Sequence, residues 1–181
     1  KNSEKNPSIL YFSGLLQTEK ALSQARGGFF EFGNRNQPVT AGEFLGSSPS
    51  HRGFEIGIQG NSFVVITAHS GLRMSYASTY IPLVGKDAAS TNLFIARLAI
   101  DPGGNDSLVV YLNPKDVSSE EKARQTSTVT LEFDNRDIAS HPSEISNAGF
   151  RTISTASDQT PIFADELRIG STFESVVAAV P

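Results

Sequence analysis

The sequence predicts an all-β domain, a sandwich or barrel of about nine strands. Three observations carry that expectation. Short runs of β-branched and aromatic residues are separated by clusters of Gly, Pro, Asn, Asp and Ser, as strands are by turns. Several runs alternate with a period of two: Phe54, Ile56 and Ile58 share one face, and Val129, Leu131 and Phe133 share another, with Thr128, Thr130 and Glu132 opposite. Helical periodicity is scarce throughout.

Taken in order, the runs are Ile9 to Leu16, Gly28 to Phe32, Gly53 to Gln59, Phe63 to His69, Leu93 to Ile100, Ser107 to Leu112, Thr128 to Phe133, Gly149 to Ile153 and Ile162 to Ile169. The run Leu108 to Leu112 is apolar without alternation, the pattern of a strand covered on both sides or packed at an interface. Before it, DPGGND supplies Pro for a fixed φ and Gly for positive φ, which makes a hairpin loop. Two connections are polar enough for one or two short helices, Gln17 to Arg26 and Ser118 to Gln125. In the second, Ser118 or Ser119 caps free amides and Glu120 and Glu121 face the positive end of the helix dipole. Residues 1–8 read as a flexible or partner-ordered arm and 9–181 as one domain. The expected core comprises Phe54, Ile56, Ile58, Leu98, Val129, Leu131, Phe133, Leu167 and Ile169.

Composition limits function. The 181 residues carry a net charge of −4 with no run of Lys or Arg, so there is no electrostatic footprint for nucleic acid. Leu, Ile, Val and Phe form about a quarter of the chain, enough for a sizeable core. Charged residues make up 19%, below the ~25% usual for soluble domains, and Ser and Thr fill much of the polar surface, which suits an exported protein. Absence of cysteine removes disulfides, thiolate zinc sites and a cysteine nucleophile. No apolar stretch approaches the ~20 residues of a membrane span. The chain opens at Lys1 with no apolar signal core, as a processed or a trimmed chain would, and a secreted protein of the extracellular space or cell surface is the favoured expectation.

No motif assembles a catalytic centre. Glu132-Phe133-Asp134-Asn135-Arg136-Asp137 resembles the spaced carboxylates of laminarinase-type glycosidases, but the third carboxylate is Asp, and two such groups must sit ~5 Å apart across the scissile bond. The chain also has no Trp to serve as a sugar platform. His51, His69 and His141 lack metal-ligand spacing, no G-x-S-x-G elbow occurs, and neither Gly27-Gly28 nor Gly103-Gly104 precedes a helix that would cradle phosphate. Asp101, Asn105 and Asp106 offer hard oxygens, which makes calcium the one metal reading, although Asp and Asn in hairpin loops more often bond their own backbone. Tyr76 and Tyr80, in a polar and irregular segment, together with Asn92 and Asn113, are the nominees for glycan contact.

The closing segment Phe163-Ala164-Asp165-Glu166-Leu167-Arg168-Ile169-Gly170-Ser171-Thr172-Phe173 resembles the last strand of bacterial LamG-like, concanavalin A-like jelly-roll domains, with their D-E-L-R-I-G string. Leu93 to Pro114 is similar to the central hairpin of the same family. The resemblance implies a two-sheet antiparallel jelly-roll β-sandwich, secreted by bacteria and often followed by a sorting tail that begins Pro-Glu-Pro, a signal that the residues Ala178-Ala179-Val180-Pro181 do not themselves contain. By strand period, Phe163, Leu167 and Ile169 face the core with Asp165 beside them as a structural carboxylate that needs amide or cation partners, and Glu166 and Arg168 face out. The leading functional expectation is a non-enzymatic surface or matrix domain acting by glycan binding or self-assembly. Assembly would give a homo-oligomer or fibre, with the arm and the strand-like Ser8 to Leu16 adding to a neighbouring copy. The alternative is a polysaccharide hydrolase or lyase of the concanavalin A-like type.

Overall fold

A computed structural model describes residues 8–19, 22–23, 26–34, 52–69, 75–82, 91–102, 105–136, 138–139, 141–153 and 160–177. Two five-stranded antiparallel sheets form a sandwich. The strands are β1 (Ser8–Thr18), β2 (Gly27–Asn34), β3 (Arg52–Gln59), β4 (Ser62–His69), β5 (Ser75–Pro82), β6 (Asn92–Ile100), β7 (Asp106–Leu112), β8 (Val129–Arg136), β9 (Asn147–Ile153) and β10 (Ile162–Gly170). Helices α1 (Glu120–Thr126) and α2 (Phe173–Val177) and a single 3-10 turn at Pro142–Glu144 complete the described elements. The first sheet runs β10-β1-β6-β7-β8 and the second β5-β4-β3-β2-β9. The fold class expected from the sequence is therefore the one observed.

Phenylalanines hold the sheets together. Phe12 on β1 meets Phe32 on β2 at 4.7 Å and Phe54 on β3 at 5.1 Å between ring centroids, and Phe30 meets Phe94 of β6 at 5.4 Å. The alternating faces do as expected: Phe54, Ile56, Ile58, Leu98 and Phe133 are buried, with Val129 and Leu131 packed against the same cluster. On β7, Leu108, Val110 and Leu112 join that cluster while Val109 and Tyr111 join a second one beneath the helices, so the strand is covered on both sides by its own chain.

Four expectations are corrected. First, β1 is not an arm-borne strand awaiting a partner, because it lies inside its own sheet and pairs with β10 on one side and β6 on the other. Of the arm, residues 1–7 lie outside the described residues and Ser8 is the first residue of β1. Second, the described residues of Gln17 to Arg26 are not helical: β1 runs on to Thr18, which pairs with Ile162, and Leu22 is drawn into the core. Arg26 is buried, and its guanidinium donates to the carbonyls of Ile153 and Thr160. Third, the polar segment carrying Tyr76 and Tyr80 is strand β5, whose Ser/Thr content and terminal Pro82 suit the sheet edge it occupies.

The fourth concerns β10. Ser13 pairs with Arg168 but Leu15 with Asp165, so Glu166 and Leu167 together oppose Gly14. This is a β-bulge, and Glu166 takes a positive φ of 54° at it. The bulge reverses the side-chain phase along the strand. Ile162 and Ala164 pack on the core, whereas Phe163 and Asp165 are exposed. Ile169 sits opposite Phe12 on the inner face, yet it stays 47% exposed and Leu167 37%, because β10 ends its sheet with no strand beyond it among the described residues.

Candidate functional site

The two outer sheet faces differ. On the first sheet, Tyr11, Ile95 and Tyr111 are buried under Ala123 of α1 and Phe173 and Val176 of α2. Ser119 caps α1 by accepting from the Lys122 N–H at 3.2 Å. The Glu120 carboxylate accepts from both Tyr11 Oη and Tyr111 Oη at 2.7 Å, with Arg97 Nε 3.7 Å away. Burial, followed by the hydrogen bond to Glu120 and that residue's charge, raises the pKa of both phenols. That face is closed by the chain's own helices. On the second sheet, Arg151 of β9 bridges Glu31 of β2 and Glu55 of β3, and its guanidinium lies 4.7 Å over the Phe29 ring. Glu55, Phe29 and Val64 are fully shielded there. Toward the β5 edge Tyr80 is exposed and donates to Gln59 Oε1 at 3.4 Å.

Between the two sheets, where β9 and β10 end them on the same side, lies an open groove of about 560 Å³. Phe30 and Ile162 line its inner part, Phe150 stands on the β9 side, and Phe163, Asp165, Glu166 and Leu167 run along the β10 side. The Phe150 ring is held edge-on to Phe30 at 5.3 Å. Phe163 is 49% and Phe150 37% exposed. Asp165 Oδ1 accepts the Glu166 N–H at 2.8 Å and Glu166 pairs with Arg168. Two aromatic rings beside two carboxylates form a surface on which the C–H face of a pyranose can rest while its hydroxyls donate to oxygen acceptors.

The residues nominated from the sequence do not converge. Asn92 and Asn113 lie in the first sheet's hairpin, apart from Tyr80 in the second sheet, and are spent on structure: Asn113, at φ 49°, donates from Nδ2 to Asn92 Oδ1 at 2.9 Å and accepts from the Leu93 N–H at 2.8 Å. The Tyr76 side chain lies outside the described residues. The calcium reading gives way to a structural one. Asp106 is fully buried, its Oδ1 accepting from Asp101 N at 2.9 Å and its Oδ2 from Ile138 N at 2.7 Å and Ala139 N at 2.8 Å. Three amides therefore occupy the carboxylate, Asn105 is exposed, and no metal-holding cluster occurs among the described residues. Asp165 has its expected amide partner, but from the exposed side of the bulge. Glu132, on the edge strand β8, pairs with exposed Arg124. His141 caps the 3-10 turn, and His51 and the His69 side chain lie outside the described residues.

The sequence matches no protein-family model and no curated protein. Among solved structures, an endo-β-1,4-glucuronan lyase from the fungus Trichoderma reesei is similar over 93% of this chain and 71% of its own, at 11% identity and a TM-score of 0.55. An alginate lyase covers 91% of this chain and 70% of its own at 9% identity and a TM-score of 0.40. A doubly substituted alginate lyase in complex with alginate tetrasaccharide gives 10% identity, the same coverage and a TM-score of 0.38. What the chain shares with the glucuronan lyase is the fold, a two-sheet antiparallel, jelly-roll-like sandwich.

Proposed function

We propose that this chain is a secreted, non-enzymatic polysaccharide-binding domain that takes its ligand in the groove between β9 and β10. One observation carries the reading: exposed Phe150 and Phe163 stand beside Asp165 and Glu166 in a groove of about 560 Å³, within the size range of ligand sites. Binding rather than catalysis is supported by how the carboxylates elsewhere are engaged, with Glu31 and Glu55 on Arg151, Glu120 on two tyrosines and Asp106 on three amides. Self-assembly through the first strand loses its support because β1 is already paired on both sides. The test is a panel of soluble polysaccharides titrated against the native chain and Phe163→Ala. Because Phe163 is half exposed, its truncation should leave the β-rich circular dichroism spectrum unchanged and weaken binding about tenfold, the equivalent of ~1.4 kcal/mol. Equal binding by the variant would refute the groove as the site.

A second reading, cleavage of an acidic polysaccharide by β-elimination, draws on the fold shared with the glucuronan lyase. Its signature is ultraviolet absorbance from unsaturated uronate ends when the chain is incubated with polyglucuronate or alginate. Absorbance that grows in proportion to enzyme would replace the binding reading with a lyase.

A further inference from the structure

We infer that the groove is selective for an uncharged polysaccharide and turns uronate chains away. The inference rests on the glycan reading above and deepens it from the charges on the groove wall. Asp165 and Glu166 both line the groove, and no Lys, Arg or His does so among the described residues. Arg168, the cation next along β10, is committed to Glu166, so their pair is neutral and Asp165 remains as the net charge of the wall. The one oxygen of Asp165 with a protein donor among the described residues takes the Glu166 N–H, which leaves Oδ2 as an acceptor for a ligand hydroxyl. A hydroxyl donates to a carboxylate, whereas a uronate carboxylate can only be repelled by it. The bulge fixes this arrangement: with Glu166 at positive φ, the Asp165 carboxylate is held on the exposed side beside Phe163 rather than in the core. The rings accept any pyranose with an apolar face, so the carboxylate does the selecting, by like-charge exclusion.

The experiment titrates the 181-residue chain with a soluble uncharged β-glucan, polyglucuronate and alginate, at ~20 mM and ~500 mM salt. At low salt the uncharged glycan should bind at least about tenfold more tightly than either uronate polymer. High salt should narrow that gap, because the Debye length shrinks from about 20 Å to below 5 Å. In Glu166→Gln the wall loses one negative charge, so uronate binding should rise several-fold at low salt. Uronate binding as tight as that of the β-glucan, or a gap indifferent to salt, would overturn the selectivity while leaving the glycan reading intact. Failure of all three polymers to bind would overturn both. The salt series needs only the native chain, so it decides the matter even if Glu166→Gln does not fold.

Discussion

Replacing Asp106 by Ala should cost about 3–5 kcal/mol of folding stability, through loss of hydrogen-bond acceptors rather than loss of a metal. The carboxylate is fully buried and takes three backbone amides, and two of their owners, Ile138 and Ala139, are fully buried as well. A buried donor stripped of its acceptor costs ~1–3 kcal/mol, and more where the acceptor was charged. Asp101 is only partly buried, so water can replace its lost partner and its share is smaller. The sum is a large part of a typical domain stability of ~5–15 kcal/mol. Asp106→Asn should cost less, ~1–3 kcal/mol, because the amide oxygen can still serve Ile138 and Ala139 while its NH2 confronts the Asp101 N–H. Urea unfolding followed by circular dichroism reads the change as a shift in midpoint at constant slope. Calcium or a chelator should leave the native melting temperature unmoved. A loss below ~1 kcal/mol for Asp106→Ala, or a calcium-dependent rise in melting temperature, would refute the assignment.

Three further perturbations follow from the same reasoning. Because Tyr11 and Tyr111 have raised pKa values in the folded chain, their contribution is fully present below pH 10 and is lost as pH rises through the folded values; stability should fall above pH 10, and Tyr111→Phe should flatten that fall in a pH series of melts. Arg151→Met should cost ~3–5 kcal/mol by taking its cationic partner from the fully buried Glu55, and adding Glu55→Gln should recover part of it, measured as a double-mutant cycle. Removing residues 1–12 should unfold the chain rather than dissociate an oligomer, since it deletes half of a strand paired on both sides; a folded monomer by light scattering and circular dichroism would contradict the topology.

The sandwich was legible in the sequence because its evidence is local. Where a strand has one wet face, as β3 does with Phe54, Ile56 and Ile58 on the core side, alternation alone reveals it. Helix α1 was equally legible, since the Ser119 cap and Glu120 lie within one turn. The failures have a common cause in non-local cover. Strand β5 is polar because it closes an edge, and nothing in its residues says what it pairs with. The Leu108 to Leu112 run does announce cover on both faces, but whether a helix of the same chain or another molecule supplies it depends on where α1 packs. The groove was invisible for the same reason: Phe150 and Phe163 belong to different sheets and meet only because β9 and β10 end those sheets on the same side.

The bulge on β10 shows how a single local departure redirects a whole strand. Under strict alternation Phe163, Asp165, Leu167 and Ile169 would share the inner face, placing a carboxylate within an apolar layer where its desolvation would cost several kcal/mol unless fully bonded. Two residues opposite Gly14 shift the phase, so that Ile162 and Ala164 fill the inner face and Asp165 moves out. A non-glycine residue at φ 54° is disfavoured in isolation, and the Asp165 carboxylate offsets part of that cost by accepting the Glu166 N–H. The same shift leaves Phe163 half exposed on the groove wall. Restoring the period would withdraw that ring from the wall and drive the carboxylate inward, so the strain at Glu166 is what keeps an aromatic ring and an acceptor side by side at the surface.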